Sequence, residues 1–377
     1  MITMHDPLTI GSARLRNRLA LPPLTTGYAD EDGRVTERIL GFYRQRSRHV
    51  GLAIVEAAAV RPDGRIIPNS LGAWSDEHLP GLGRLAATVK AEGAAAFLQI
   101  NHAGARSAPV AQGIRGASPS QVALRPDVAP TALSSEQIAA FVADYAAAAR
   151  RAQSAGFDGV EVHAAHFYLL SQFLSPLVNL RFDDHGGDAA GRATFALQVT
   201  RACRQATGAD FAIICRLNAH ENLPGGQTLE EATLVAGLLA GAGVDGIHVS
   251  VMPQVAWREA NGSVFLQGSS ALSKETPRGA NLPYAARIKQ ATGLPVIAVG
   301  KLGESATVEQ ALAGGAADAM AIGRQLIIDP DAAGKLLAGQ EAAISQCQEC
   351  MSCFASIQQP GGLRCKVNRD PSASGTN

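Results

Sequence analysis

Short apolar runs recur along the first 330 residues, separated by amphipathic stretches. Eight of them have strand character: Leu19-Ala-Leu21, Leu52-Ala-Ile-Val-Glu56, Ala95-Ala-Phe-Leu-Gln99, Gly159-Val-Glu-Val162, Phe211-Ala-Ile-Ile-Cys215, Gly246-Ile-His-Val249, Pro295-Val-Ile-Ala-Val299 and Ala317-Asp-Ala-Met-Ala-Ile322. Between most of them apolar residues return at three- and four-residue steps, as over residues 134–155 and 229–242, which is the period of an amphipathic helix. Ser134-Ser-Glu-Gln137 opens the first of these with N-cap chemistry. Short buried strands alternating with helices predict parallel pairing through right-handed crossovers. Eight repeats favour a closed (β/α)8 TIM barrel over an open doubly wound sheet. No Gly-x-Gly-x-x-Gly follows the first strand, as a Rossmann fold would require.

The barrel is predicted over residues 1–335. Residues 336–377 hold an Ala-rich helix, a cysteine-rich segment and a polar tail, 369–377, expected to fray.

Composition narrows the class without naming a reaction. With 46% hydrophobic and 18% charged residues in a length of 377, the chain can bury a large core, which argues against disorder. Its 33 basic and 33 acidic side chains cancel, so nothing global draws it to nucleic acid or an anionic membrane. No apolar run approaches the roughly 20 residues of a spanning helix. The start, Met1-Ile-Thr-Met-His-Asp-Pro7, lacks the basic and apolar regions of a signal peptide, so the cytoplasm is the expected address.

On a barrel, chemistry gathers at the C-terminal ends of the strands. Those positions hold Pro22-Pro-Leu-Thr25, Glu56-Ala57, Gln99 with His102, His163-Ala-Ala-His166 with Tyr168, Arg216, Gly300-Lys301 and Gly323-Arg324. His163 and His166 are three apart, so one helical turn points both rings the same way. They could hold a substrate oxygen, ligate a metal or form a structural pair. Tyr168 could reach the same pocket as a proton donor, or serve as core. Arg216, at a strand end, needs an anionic or electron-rich partner, or a structural carboxylate. Gly300-Lys301 and Gly323-Arg324, after strands seven and eight, match the recurrent barrel site for phosphate.

Of the six cysteines, Cys203 and Cys215 stand alone in apolar surroundings. Cys347-x2-Cys350-x2-Cys353-x11-Cys365 has the three-plus-one spacing that wraps a [4Fe–4S] cube, with structural zinc as the alternative. Disulfides rank third in this compartment.

The stretch from His163 through Arg181, followed by Asp184-His-Gly-Gly187 and Arg192, resembles the Old Yellow Enzyme family of FMN-dependent oxidoreductases. So do Asn17-Arg18, Pro23-Leu-Thr25, Leu98-Gln-Ile-Asn-His-Ala-Gly104 and Gly323-Arg-Gln-Leu-Ile-Ile-Asp-Pro330. The cysteine segment is similar to that of the family's iron–sulfur branch, which includes 2,4-dienoyl-CoA reductase and trimethylamine dehydrogenase. The resemblance implies FMN in the barrel mouth. Pro22, Pro23, Leu24 and Thr25 would follow one edge of its ring, Ala57 and Gln99 the pyrimidine side, and Arg216 the N1–O2 region. Gly300, Lys301, Gly323 and Arg324 would hold the phosphate. His163 and His166 would polarise a conjugated C=C, and Tyr168 would protonate it after hydride transfer. Tyr28 matches a tyrosine of the substrate pocket, and His102 is expected to be structural.

Three departures from the family pattern stand out. Phe167 replaces a glycine and is expected to narrow the pocket or turn the loop. Asp188-Ala-Ala-Gly191 replaces the usual serine and acid. Arg258, in Trp257-Arg-Glu-Ala260, stands where the branch supplies a histidine, so Tyr168 must protonate alone or Arg258 binds an anionic substrate.

Relatives with this cluster continue for several hundred residues through a second redox domain, whereas this chain stops 12 residues after Cys365. The leading expectation is an NAD(P)H-linked ene-reductase acting on a small molecule. The alternative is an amine dehydrogenase or N-demethylase that passes electrons through the cluster to a ferredoxin or flavoprotein. Oligomeric state stays open, a homo-oligomer included.

Overall fold

The computed structural model describes residues 1–109, 113–126, 128–260 and 262–368; the tail expected to fray lies outside them. All eight apolar runs are strands: β1 (Leu19–Leu21), β2 (Leu52–Ala59), β3 (Ala95–Asn101), β4 (Gly159–Ala164), β5 (Ala212–Glu221), β6 (Gly246–Met252), β7 (Val296–Val299) and β8 (Ala319–Ala321). Each pairs in parallel with the next, and Ala321 against Ala20 joins β8 to β1, closing a (β/α)8 barrel. The outer layer holds α1 (Glu37–Ser47), α2 (Leu79–Ala91), α3 (Ser135–Ser154), α4 (Ala189–Thr207), α5 (Leu229–Ala242), α6 (Leu282–Thr292) and α7 (Ser305–Ala313).

Local chemistry sets the helix starts. Ser134 and Gln137 form a capping box at α3, and Thr228 and Glu231 form another at α5. Each such cap is worth about 1 kcal/mol. Asp188, within the departing Asp-Ala-Ala-Gly stretch, accepts from the Gly191 amide and so caps α4.

The barrel interior changes character along its axis. At the bottom it is apolar, with Ala20, Leu52, Ile54, Ala95, Phe97, Ala212, Ile214, Ile297 and Ala319 packed together. An N-terminal hairpin, Leu8–Ile10 with Ala13–Leu15, plugs that end through Ile10 and Leu15. Side chains two apart on a strand share a face. The face carrying Phe97 therefore continues to Gln99, and that carrying Ile214 continues to Arg216 and Asn218. On β4 the series is Gly159, Glu161, His163; on β6 it is Gly246, His248, Ser250. Cross-strand register aligns Gln99 with Glu161, and Arg216 with His163 and His248. The upper half of the interior is thus polar and faces one open mouth.

Beyond β8 come short helices, Gly323–Ile328 and Ala332–Leu337, and then a segment that returns across the mouth. Its Ile344 and Leu363 are buried in the same apolar cluster as the barrel's outer face. Among the described residues no helix is long and apolar enough to cross a membrane.

Candidate active site

The mouth encloses a cavity of about 340 Å3, within the range of small-molecule sites. Pro22, Pro23, Leu24, Thr25, Gln99, His163, His166, Tyr168, Arg216, Gly300, Lys301, Gly323 and Arg324 all line it. Residues up to about 300 positions apart in the chain are brought to one wall because the strands run parallel.

Three expected residues do not reach the cavity. Ala57 is buried next to a register shift in β2, where Val55 pairs with Leu98 but Ala58 pairs with Ile100. Tyr28 is buried, donates its hydroxyl to the Leu363 carbonyl, and lies under the Arg38 guanidinium; it holds the C-terminal segment and is not among the residues lining the cavity. Arg258 is exposed on a hairpin, Gln254–Ala260 with Ser263–Ser269, and also misses the wall. Phe167 neither narrows the cavity nor lines it. His166 and Phe167 both have left-handed backbones, at φ 65° and 54°, and this turn sends the ring beneath that hairpin, among Met252, Val255 and Leu266. Such a conformation costs a non-glycine residue about 1 kcal/mol. Gly268 opposite must lack a side chain, because a Cβ there would lie 2.5 Å from the Phe167 ring.

The two histidines meet each other. His163 Nε2 and His166 Nδ1 are 2.9 Å apart, and His166 Nε2 is 2.7 Å from Ser250 Oγ. One proton is shared across the first contact, so the rings form a chain and do not aim two N–H groups at a common point. Burial holds both well below the usual histidine range, reinforced by the Arg216 charge, and both are neutral at pH 7. The Tyr168 ring meets His163 edge to face at 5.1 Å. Burial pushes the Tyr168 hydroxyl up, against the pull of Arg106, Arg125 and Arg216, so it keeps its proton.

Arg216 is 8% exposed, and its Nε is buried with no hydrogen-bond partner among the described residues. The nearest acid below it, Glu161, is already engaged: Oε1 accepts from Gln99 Nε2 at 2.6 Å and Oε2 meets His248 Nδ1 at 2.6 Å. A buried guanidinium without acceptors is costly by several kcal/mol. This one faces the cavity.

Lys301 presents the opposite case. Its side chain is 4% exposed, its Nζ donates to the carbonyls of Lys274 and Thr276 at 2.9 and 2.8 Å, and it pairs with Glu349 at 2.7 Å. An ammonium has three protons, and all three are used. Among the described residues Arg324 makes one side-chain hydrogen bond, to Met351 Sδ at 3.5 Å.

Glu349 and Met351 belong to the cysteine segment, which forms one side of the cavity. Cys347 and Cys353 line it, Cys365 packs against the core and Cys350 is exposed. All six cysteines are free, and among the described residues no three His, Cys, Asp or Glu side chains gather closely enough to hold a metal. The four-cysteine ligand set is not assembled in this arrangement.

A profile described as "NADH:flavin oxidoreductase / NADH oxidase family" matches residues 3–342. The chain belongs to this family. It is 36% identical over 366 residues to an NADH oxidase of Thermoanaerobacter brockii, covering 95% of this chain and 54% of that protein. It is 34% identical over 330 residues to an NADPH dehydrogenase of Bacillus subtilis, covering 87% of this chain and 92% of that one. The structure of a 2-naphthoyl-CoA reductase in complex with 2-naphthoyl-CoA superposes with a TM-score of 0.89 at 26% identity, over 97% of this chain and 57% of that one. The chain therefore spans about half the length of some relatives and nearly all of others.

The residues of this NADH:flavin oxidoreductase family member fit a flavin. The cavity has the volume, Arg216 offers an unused guanidinium to an electron-rich ring, and Gly300 and Gly323 leave backbone bare. A Cβ at Gly300 would lie 2.8 Å from Asn281, and one at Gly323 would lie 3.1 Å from Pro22. Several wall and support residues lie outside the set the sequence predicts: Arg106, Arg125, Glu161, His248, Ser250 and Glu349. Their signal was weak because each matters through a partner distant in the chain.

Proposed function

We propose that this chain is an FMN-dependent, NAD(P)H-linked oxidoreductase that reduces a carbon–carbon double bond conjugated to an electron-withdrawing group. The observation that carries this reading is a protonated, half-buried Tyr168 beside His163 in a cavity whose wall contains Arg216, unpartnered among the described residues. FMN, held there, would supply hydride transfer between the nicotinamide and one carbon of the substrate. The chain supplies the rest.

Arg216, Gln99 and Thr25 hold and polarise the isoalloxazine, and Arg324 with the bare backbone at Gly300 and Gly323 holds the phosphate. Lys301 supports that end through its fixed ion pair. His163 and His166, both neutral, exchange their mutual contact for the substrate's electron-withdrawing oxygen, adding hydrogen bonds without a further positive charge beside Arg216. Tyr168 donates its hydroxyl proton to the second carbon, and Arg106, Arg125 and Arg216 stabilise the phenolate left behind.

Replacing Tyr168 by Phe tests the role. Alkene-dependent reoxidation of the bound flavin should slow by about 10²–10⁴-fold, with a smaller effect on reduction by NAD(P)H. Equal loss in both half-reactions, or loss in neither, would remove Tyr168 as the proton donor.

The cysteine spacing, with two sulfurs on the cavity wall, supports a second reading in which the segment binds metal and serves an external electron carrier such as a ferredoxin or flavoprotein. Among the described residues these cysteines do not form a group that could hold a metal, so this reading rests on their spacing in the chain. Metal analysis of anaerobically purified protein decides. About four irons with sulfide per chain would support a cube, one zinc a structural staple, and neither metal would discard both.

A further inference from the structure

Beneath the cavity the barrel interior holds an acid that the proposed chemistry does not use. Glu161 on β4 is fully buried, and each of its oxygens meets a neutral group. Gln99 Nε2 on β3 donates to Oε1 at 2.6 Å, and His248 Nδ1 on β6 lies 2.6 Å from Oε2. Burial, then the Arg216 charge, holds His248 below the usual histidine range, so it brings no positive charge. Its other ring nitrogen, Nε2, is buried without a partner among the described residues.

The contact between Glu161 and His248 spans β5, whose Ile214 aligns with Glu161 and whose Arg216 aligns with His248. Arg216 therefore stands two positions nearer the mouth, about 7 Å along the strand at ~3.3 Å per residue. Burial disfavours the charged guanidinium, and the Glu161 charge works in its favour. Gln99 carries the same acid's influence to the cavity wall, which it lines. A carboxylate only accepts, so the amide must turn its nitrogen to Glu161 and keep its carbonyl oxygen and second N–H for the cavity. A core serving stability alone would be apolar at this level, as it is in the layer below, because an anion buried among neutral donors is costly.

We propose that Glu161 is a positioning residue for the flavin: it fixes the Gln99 amide toward the ring and, as a buried anion beneath Arg216, holds the flavin's two-electron reduction potential down. This rests on the FMN reading above. Arg216 favours the negative charge that the ring acquires with hydride, and Glu161 opposes it. A unit charge roughly 10 Å away, through an interior of effective dielectric about 20, shifts such an equilibrium about tenfold. The step keeps its balance: hydride adds to the ring, one negative charge appears in the field of both residues, and neither takes nor gives a proton. Glu161 thus offsets the pull of Arg216, which alone would favour keeping the hydride over passing it on.

The test is the midpoint potential of the FMN-loaded enzyme, read anaerobically by equilibration with dyes of known potential. Glu161→Gln removes the charge and keeps the shape. The new carbonyl accepts from Gln99, the new amide donates to His248 Nδ1, and the imidazole proton moves to the orphaned Nε2. Affinity for oxidised FMN should change less than about threefold, while reduced flavin should be held about tenfold more tightly, raising the potential by about 30 mV. Glu161→Asp, which keeps the charge, should stay within about threefold of the wild type, about 15 mV.

A potential in Glu161→Gln that is lower, or within about threefold of the wild type, overturns the proposal. Loss of FMN or of the fold in that variant overturns it too, because the acid would then be a structural support. A rise shared by Glu161→Asp does the same, since packing and not charge would be responsible. A rise confined to Glu161→Gln, in an enzyme that reduces no activated alkene, sustains the proposal and removes the alkene-reductase reading. Alkene reduction without the rise does the reverse. If the wild type binds no FMN, both fall.

Discussion

The two ends of the cavity treat positive charge in opposite ways. At the end proposed for the phosphate Lys301 is saturated by two carbonyls and by Glu349, a residue of the segment that crosses the mouth. At the substrate end Arg106 and Arg125 share a wall with Tyr168 and meet no acid among the described residues. The first arrangement stabilises the protein's own architecture, because the chain supplies both partners. The second stabilises nothing until a ligand completes it. Burial alone does not distinguish a structural cation from a ligand-binding one; the presence of an internal counter-charge does.

The strongest way to break this comparison is at Arg216, the central cation without a partner among the described residues. Arg216→Met should lower turnover by about 10²–10³-fold and weaken FMN retention, while leaving the melting temperature of the flavin-free protein equal or higher. Apoprotein that is clearly destabilised would show Arg216 to be structural after all, and would close the difference between the two ends.

A buried acid with no cation offers the mirror image. Glu56 accepts from the Thr26 amide at 2.9 Å and hydroxyl at 2.6 Å, directly behind the wall residue Thr25, and burial raises it to about 7. The native state therefore holds a proton that the unfolded chain has already lost above its value of 4.5. Stability is fully present below about 4.5 and declines as pH rises to about 7, by on the order of 3 kcal/mol. Denaturant unfolding at pH 5 and pH 7 should show this slope, and Glu56→Gln should reduce it. Glu221, raised to about 7 chiefly by burial, contributes in the same direction and remains in that variant.

The smallest effect is expected at the phosphate end itself. Glu349→Gln removes the internal counter-charge and should cost about 1–2 kcal/mol of docking energy for the cysteine segment, since its partner is buried but Glu349 is only partly so. Limited proteolysis within residues 344–363 should accelerate about tenfold, with the barrel's own unfolding midpoint little changed. Unchanged proteolysis would mean that Tyr28 and Leu363 hold the segment without help from the ion pair.

The barrel was legible because strand cores must be apolar, and each of the eight runs is a strand. Their upper ends were not. β3 continues to Asn101, β5 to Glu221 and β6 to Met252, beyond the apolar runs, because inward-facing Asn101, Arg216, Asn218 and Ser250 break the hydrophobic signal. The site was half legible for the same reason: polar residues just past an apolar run mark a barrel mouth, so thirteen of the expected residues line the cavity. Tyr28 and Arg258 fall outside the cavity's lining because motif position says nothing of side-chain direction. Tyr28 turns toward Leu363, and Arg258 stands on a hairpin outside the wall.

The sequence by itself determined the alternation of strand and helix, the eightfold count, and which chemical groups end each strand. Those properties follow from short-range periodicity and local caps. Only the tertiary structure decided which charges cancel. Lys301 meets Glu349 across 48 positions of chain, and Arg106 meets Tyr168 across 62. Electrostatic energy depends on distance in space and on the water excluded between charges, neither of which is encoded by separation along the chain.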